Sequence, residues 1–286
     1  MVSSATELSQ HRAASSRNQR IHRRGRDRSV TYEHIVLRQA DGVATLTLNR
    51  PNALNSLKVE LLGEMNHALD LLRDKAESRV LLVTGAGRAF SSGADLAGGL
   101  PDDVGALLEA HYNPLIERLL ALPIPVVCAV NGPAAGAGCS IALAADIVLA
   151  ARSAFFLQAF VNVGLVPDAG ATWILPRLVG RARAQAMMML GERVPAEQAE
   201  QWGLIYRVVD DDALERESQA LATKLANGPT RAYALLRQAL RASLECSLTE
   251  ALRIERFNQL QAGRTADCIE GVTAFQARRT PVFKGR

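Results

Sequence analysis

The chain is poor in aromatic side chains. Two tryptophans, four tyrosines and seven phenylalanines make up 5% of its 286 residues. Single-stranded nucleic acid is gripped by aromatic rings set among basic residues, so this scarcity argues against such a surface. Cysteine is as sparse. Cys128, Cys139, Cys246 and Cys268 stand apart without CxxC spacing. That pattern excludes a thiolate zinc ribbon or a disulfide framework and reads as reduced, core-type thiols in a reducing compartment. The five histidines (His11, His22, His34, His67, His111) show no ligand spacing. They read as surface or tail residues, with no metal site among them. No apolar run approaches the ~18 residues of a membrane span, and the head lacks the apolar block of a secretory signal. The expectation is a cytoplasmic protein without a membrane partner.

What is present favours helices packed on a sheet. Hydrophobic residues account for 48% of the chain, mostly Ala, Leu and Val. The length suits one large domain, or one domain with a helical appendage. The net charge of +4 conceals an asymmetry. Residues 1–30 hold Arg12, Arg17, Arg20, Arg23, Arg24, Arg26 and Arg28 against Glu7 and Asp27, a balance of +5 that leaves the remainder near −1. This head has no periodicity and too few apolar residues to fold alone. It is expected to be a disordered, dispensable basic tail. A transit segment and a polyanion-binding arm are the sharper alternatives.

Order begins at Tyr32. Residues 33–38 and 43–48 read as short strands joined by the hairpin signal Asp41-Gly42. The turn Asn49-Arg50-Pro51-Asn52 leads into an amphipathic helix over about 57–75. A buried strand (Val80-Leu81-Leu82-Val83) ends in the small-residue stretch Thr84 to Leu96, which contains Ser91-Ser92-Gly93-Ala94-Asp95. A helix follows over about 103–121. The strand at 125–130 then runs into Asn131-Gly132-Pro133-Ala134-Ala135-Gly136-Ala137-Gly138-Cys139-Ser140 and an alanine-rich helix, and a strand at 146–150 repeats the alternation. Such an order favours an α/β architecture with crossovers. From Asp168 onward the pattern is almost wholly helical, with helices near 212–226, 229–243 and 247–262 and a tail helix to 278. A turn this poor in side chains lets a bound group lie against the backbone, and free N–H groups at a helix start suit a carbonyl oxygen that gains charge. A turn packed for its own sake is the plain alternative.

The two turns together, with Asn49-Arg50-Pro51-Asn52-Ala53-Leu54-Asn55-Ser56, resemble the enoyl-CoA hydratase/isomerase (crotonase) superfamily from Tyr32 to the C-terminus. The resemblance implies an α/β spiral of ββα units over residues 31–210 and a C-terminal helical cap and oligomerisation region over 211–286. It also implies assembly as a homotrimer or a dimer of trimers. The substrate would be an acyl-CoA thioester, with no separate cofactor because coenzyme A is part of the substrate. By motif position the amides of Ala94 and Ala137 would hold the thioester oxygen; many relatives have glycine where this chain has Ala137. Ala53, Leu54, Ser92, Asp95, Leu96 and Gly136 would line the path of the coenzyme, and Phe275 and Arg278 in the tail helix would reach its nucleotide. Phe160 would stand in the acyl pocket.

The same resemblance separates branches. Hydratases of the family hold water with two glutamates, at the positions of Ser140 and Phe160 here. Neither residue is acidic, which disfavours that route. Asp168, within Gly164-Leu165-Val166-Pro167-Asp168-Ala169-Gly170-Ala171-Thr172, falls where the double-bond isomerases carry their acid/base. Its alternative role is to cap the following helix. In a pocket formed by Phe160, Val161, Val163 and Leu165 its pKa should rise. Asp146, the other acid between Glu117 and Glu192, reads as structural. The run Gly164 to Arg177 looks most like the ring-epoxide isomerases of aerobic phenylacetate breakdown. The reading is an acyl-CoA isomerase with Asp168 as relay. The alternatives are a broad enoyl-CoA hydratase, an RNA-binding protein using the basic head, and a silent assembly subunit.

Overall fold

Val126–Val130 is buried at every position, the pattern of a strand covered on both faces. It lies near the middle of an eight-stranded sheet. A computed structural model describes residues 20–24, 27–75 and 77–286 of the protein. Strands β1 (Arg20–Arg24), β2 (Asp27–Thr31), β3 (Ile35–Ala40) and β4 (Val43–Leu48) pair antiparallel in that order. β5 (Val80–Gly85), β6 (Val126–Val130), β8 (Ile147–Ala151) and β11 (Arg207–Val209) continue the sheet in parallel. Three short strands, β7 (Ala134–Ala135), β9 (Phe155–Leu157) and β10 (Arg193–Pro195), form a second sheet with β9 in the middle.

The β3–β4 hairpin turns at Asp41 and Gly42, both at positive φ (49° and 79°), as a two-residue hairpin turn requires. Helix α1 (Val59–Lys75) buries Leu61, Leu62, Met65, Ala68, Leu69 and Leu72, a single stripe at helical spacing. Helices α2 (Val104–Leu107) and α3 (Asn113–Ala121) flank a π-helical turn, Leu108–Tyr112, where the sequence suggests one uninterrupted helix. Helix α4 (Ala137–Leu143) is buried throughout. Helix α5 (Ala171–Leu190) is broken at Gly180 (φ 75°, ψ 164°). Helix α6 (Ala196–Gln201) is followed by α7 (Leu214–Ala226), α8 (Thr230–Ser243), α9 (Leu248–Ala262) and α10 (Ala266–Gln276).

Two expectations need correction. β1 and β2 pair with each other and β2 pairs with β3, so part of the head expected to be disordered extends the sheet by filling the open edge of β3. Residues 1–19, with the rest of that expectation, lie outside the described residues. Beyond Asp168 the chain is not wholly helical, because β10 and β11 are strands of three residues each, too short to show a period of two. Helix α7, the first helix of the region read as a C-terminal cap, also takes part in the core. It packs on β4, β5, β6 and β8, and Leu214, Ala222 and Ala226 belong to the main core.

The helices beyond α7 are tied on by a few polar side chains. Arg237 on α8 pairs with Asp146 (Nε to Oδ2, 2.7 Å) and donates to the Leu119 and Leu122 carbonyls. Asp146 also accepts from Val126 N–H at 2.7 Å, so its carboxylate serves the structure, as its place in the sequence suggests. Asp267 on α10 is 3% exposed and accepts from the backbone N–H groups of Lys284 and Gly285, which fastens the C-terminal strap. Arg237→Ala removes charged hydrogen bonds and leaves Asp146 without its cation. It should lower the free energy of unfolding by about 2–4 kcal/mol, read by urea denaturation.

Candidate active site

Two turns meet at the ends of β5 and β6. The first is shaped by Asn55, which is fully buried and sits in left-handed backbone (φ 54°) after Leu54 (φ 51°). Its side-chain amide donates to the carbonyls of Ala86 (2.9 Å) and Ala89 (2.8 Å), and its oxygen accepts from Arg50 N–H. Asn131 grips the same loop from the second turn, accepting from Gly85 N–H and donating to Gly87 O. Between them stands Ser91, also fully buried. Its hydroxyl donates to Asn55 O (2.9 Å) and accepts from Gly93 N–H, while its carbonyl accepts from Ala135 N–H.

This stitching leaves two amides free. Leu57 N–H donates to Gly93 O (2.8 Å) and Asp95 N–H donates to Leu57 O (3.1 Å). In a parallel bridge of this kind the residue between, Ala94, points its own N–H away from its partner. Ala137 is the first residue of α4, where a helix N–H has no internal acceptor. Among the described residues neither Ala94 N–H nor Ala137 N–H donates to a protein acceptor. Ala137 does not need glycine's freedom, for it is not among the residues at positive φ. Gly136 before it is (φ 52°).

Both alanines line a cavity of about 700 Å³, together with Ser92, Gly93, Asp95, Leu96, Gly136, Phe160 and Asp168. Thus eight of the sequence-selected residues share one space: Ala94, Ala137, Asp168, Ser92, Asp95, Leu96, Gly136 and Phe160. Ala53, Leu54, Phe275 and Arg278 do not line it. Leu54 stands next door, its carbonyl accepting from Ser92 N–H. Phe275 is 84% exposed on α10. Asp95 lies at the wall with its carboxylate engaged, by Arg50 at 2.8 Å, Ser56 Oγ and Ala97 N–H. The Arg50 contact holds its pKa below the usual carboxylate value. The sequence reading overlooked the wall opposite, formed by Leu100, Val104, Leu107, Leu108 and Tyr112. That wall depends on the π-turn, for which the sequence offers only the Asn113-Pro114 pair as a signal.

Asp168 differs from Asp95. Its Oδ1 is buried and has no hydrogen-bond partner among the described residues. Burial pushes its pKa up to about 6. It is not a helix cap, because α5 begins at Ala171 with Gly170 as the cap residue and no side-chain cap bond. Ala169 (φ 48°) and Gly170 (φ 78°) are both left-handed, and this double reversal leaves the Asp168 side chain at the cavity instead of over the helix end. Its carbonyl accepts from Ala171 N–H and from the Ser140 hydroxyl (3.2 Å). Ser140 and Phe160, where the family resemblance would place the two hydratase glutamates, are both buried.

The histidine reading needs one correction. His34 is 7% exposed, and Tyr32 bonds to His67 Nδ1 at 2.8 Å, so neither is a free surface residue. All four cysteines are free thiols, and Cys128 and Cys139 are buried. No helix among the described residues is long and apolar enough to cross a membrane.

Comparison with known proteins gives a consistent result. Residues 38–286 match the family model described as Enoyl-CoA hydratase/isomerase. The chain is 48% identical over 260 residues to a 1,2-epoxyphenylacetyl-CoA isomerase of Escherichia coli (strain K12), with 89% of this chain and 99% of that protein covered. It is 39% identical over 254 residues to a 2,3-dehydroadipyl-CoA hydratase of the same organism, with 89% and 99% covered. Among solved structures, an enoyl-CoA hydratase from Bacillus anthracis superposes with a TM-score of 0.83 at 31% identity, covering 94% of this chain and all of that one.

The raised pKa of Asp168 carries a stability consequence. The folded protein holds this proton more tightly than the unfolded chain, so the group's contribution is fullest below the ordinary carboxylate pKa and is lost as pH rises through about 6. The substitution Asp168→Asn replaces the carboxyl group with a neutral amide that mimics the protonated acid at every pH. The melting temperature of Asp168→Asn should exceed that of the parent at about pH 8 and match it at about pH 4, by scanning calorimetry.

Proposed function

The chain belongs to the enoyl-CoA hydratase/isomerase (crotonase) family and has its fold, and from that premise we propose that it is an acyl-CoA isomerase with Asp168 as its proton relay. The thioester oxygen lies against the N–H groups of Ala94 and Ala137. As a proton leaves the acyl chain, charge gathers on that oxygen, and donors already aimed at it stabilise the enolate without reorganising. Asp168 takes the proton from one carbon and returns it to another.

The observation that carries this reading is the half-buried carboxylate of Asp168, with Oδ1 buried and unpartnered, in the cavity that holds both free amides. Asp95 is neutralised by Arg50, and the other acid at the wall, Glu60, is exposed beside Lys58. A pKa of about 6 suits a group that must both accept and release a proton near neutrality. The isomerase named in the relative at 48% identity supports a ring-bearing acetyl thioester, a ring epoxide included, as the acyl group.

Hydration is the second reading, because a hydratase stands among the relatives. It lacks a pair of acids to hold water, since Ser140 donates to Asp168 O and Phe160 cannot exchange protons. A homotrimer or dimer of trimers is proposed alongside. Leu236, Leu240, Leu244, Leu252 and Phe257, on α8, its C-terminal end and α9, are each half exposed or more, an apolar extent that supports self-association. Phe275 and Arg278 would then meet the nucleotide of a neighbouring subunit's substrate. Coenzyme A enters as part of the substrate, and the proposed chemistry calls for no further cofactor. Nucleic-acid binding by the basic head is disfavoured, and thioester turnover that survives removal of residues 1–30 would support the enzyme reading.

Asp168→Asn should lower the isomerisation rate of a 3-enoyl or ring-epoxide thioester by about 10²–10⁴. Unchanged turnover would reject the relay. In the parent, kcat/KM should rise with pH through about 6, because the free enzyme must present the ionised carboxylate. Ala137→Pro removes one amide at a first-turn position where proline is tolerated. It should cost about 10²–10³ in kcat with the fold retained by circular dichroism.

A further inference from the structure

Tyr112 is a buried polar group of this cavity that the relay does not use. It is 3% exposed and lines the same space as Asp168. Its hydroxyl has one protein contact among the described residues, to Leu57 O at 3.4 Å, at the long edge of hydrogen bonding. That carbonyl is already served by Asp95 N–H at 3.1 Å. A buried phenol with so weak a partner carries a desolvation cost that a ligand acceptor would relieve.

The backbone delivers this side chain by an irregular route. Asn113 N–H donates to Leu108 O, five residues back, which makes the turn Leu108–Tyr112 a π-turn. Pro114 follows and has no N–H to give to Ala110 O, so a regular helix could not be completed there. Such turns are found often at functional sites. This one leaves Leu107, Leu108 and Tyr112 together on the cavity wall. Burial and the nearby Asp168 and Asp95 carboxylates push the phenol pKa upward, so the group stays a donor throughout the working range.

Besides the oxyanion amides the pocket therefore presents an acceptor without a partner, Asp168 Oδ1, and a donor held only by a long hydrogen bond, the Tyr112 hydroxyl. We propose that the Tyr112 hydroxyl donates a hydrogen bond to an oxygen atom borne by the acyl group itself, distinct from the thioester oxygen, so that the pocket selects ring-oxygenated acyl thioesters over their deoxy counterparts. This rests on the reading of the cavity as a ring-bearing acyl pocket. It adds to that reading a specificity determinant independent of the proton relay.

The probes are two unreactive thioesters that differ by one oxygen, 2-hydroxyphenylacetyl-CoA and phenylacetyl-CoA, titrated calorimetrically into the full-length protein. The parent should bind the hydroxylated thioester about five- to tenfold more tightly. Tyr112→Phe, which keeps the ring and its packing, should bring the two affinities within about twofold, while Asp168→Asn should keep the preference. Equal binding of the two by the parent overturns the proposal whatever the variant does, and so does a preference that survives in Tyr112→Phe. Binding of neither thioester overturns this proposal and the acyl-pocket reading together. Full isomerase turnover in Asp168→Asn overturns the relay alone and leaves the Tyr112 assignment standing.

Discussion

Between the Ser91 turn and the Gly136 turn there is no room for a side chain. A Cβ on Gly93 would lie 2.8 Å from Ala135 O, one on Gly132 would lie 2.2 Å from Arg88 O, and one on Gly138 would lie 2.6 Å from Ser91. Real Cβ atoms do not come so close to other heavy atoms, so glycine at these places is a steric condition for the turns to touch. Ser91 and Asn55, both fully buried, then convert contact into register through their hydrogen bonds. The Ala94 and Ala137 amides are free because their neighbours' backbone groups are engaged in this stitching. A small shift of either turn would alter where both donors point. Fixed donors of this sort are what make an oxyanion site effective, since they need no reorganisation as charge develops.

The same construction explains which parts of the site can be read from sequence. Ser92-Gly93-Ala94-Asp95 and Gly136-Ala137-Gly138 are legible because close backbone approach requires small residues in an unbroken run, and a run is visible in one dimension. Asp168 is legible because an isolated acid in an apolar stretch stands out. The long strands β3, β4, β5 and β6 and the helices α1 and α7 to α10 are legible for a similar reason, as each keeps a period or an unbroken apolar run over several residues. The second sheet is not legible. β7 has two residues and β9 and β10 have three, and their pairing depends on the turns above rather than on any local pattern. Tyr112 escapes notice because nothing local in the sequence says that its hydroxyl will share a cavity with Asp168, fifty-six residues further along the chain. The partner of Asp146 escapes because Arg237 is ninety-one residues away in the chain.

Asp168 shows how far local stability is given up for chemistry. Its carboxylate gains nothing from the surrounding protein: among the described residues Oδ1 has no donor, and no cation offsets the burial that raises its pKa. The turn that presents it adds left-handed backbone at Ala169, a conformation that costs a non-glycine residue roughly 1–2 kcal/mol. A cap at the start of α5 would have been the stabilising use of an aspartate here, worth about 1 kcal/mol. The chain instead gives the cap position to Gly170. Strain at Ala169 and an unpartnered carboxylate oxygen at Asp168 beside it are the kind of local cost that concentrates at functional sites.

Ser140 makes the final connection between this cost and the kind of reaction the site can run. The family resemblance would place one acid of a two-acid site at Ser140, and such a group would stand close to Asp168. Two ionised carboxylates in one apolar pocket would repel, and the pair would hold a shared proton, which suits the activation of water. With serine there, the hydroxyl turns to the Asp168 carbonyl and reinforces the reversed turn. Phe160 at the other position packs near Gly136, its ring edge 3.9 Å from where a glycine Cβ would lie. It closes the pocket with an apolar wall that has no means of holding water. One of the two positions thus carries a brace and the other a barrier to solvent. Among the described residues Asp168 is then the carboxylate of the cavity wall left without a partner, the arrangement that the proposed proton relay between two carbons requires and a hydration reaction does not.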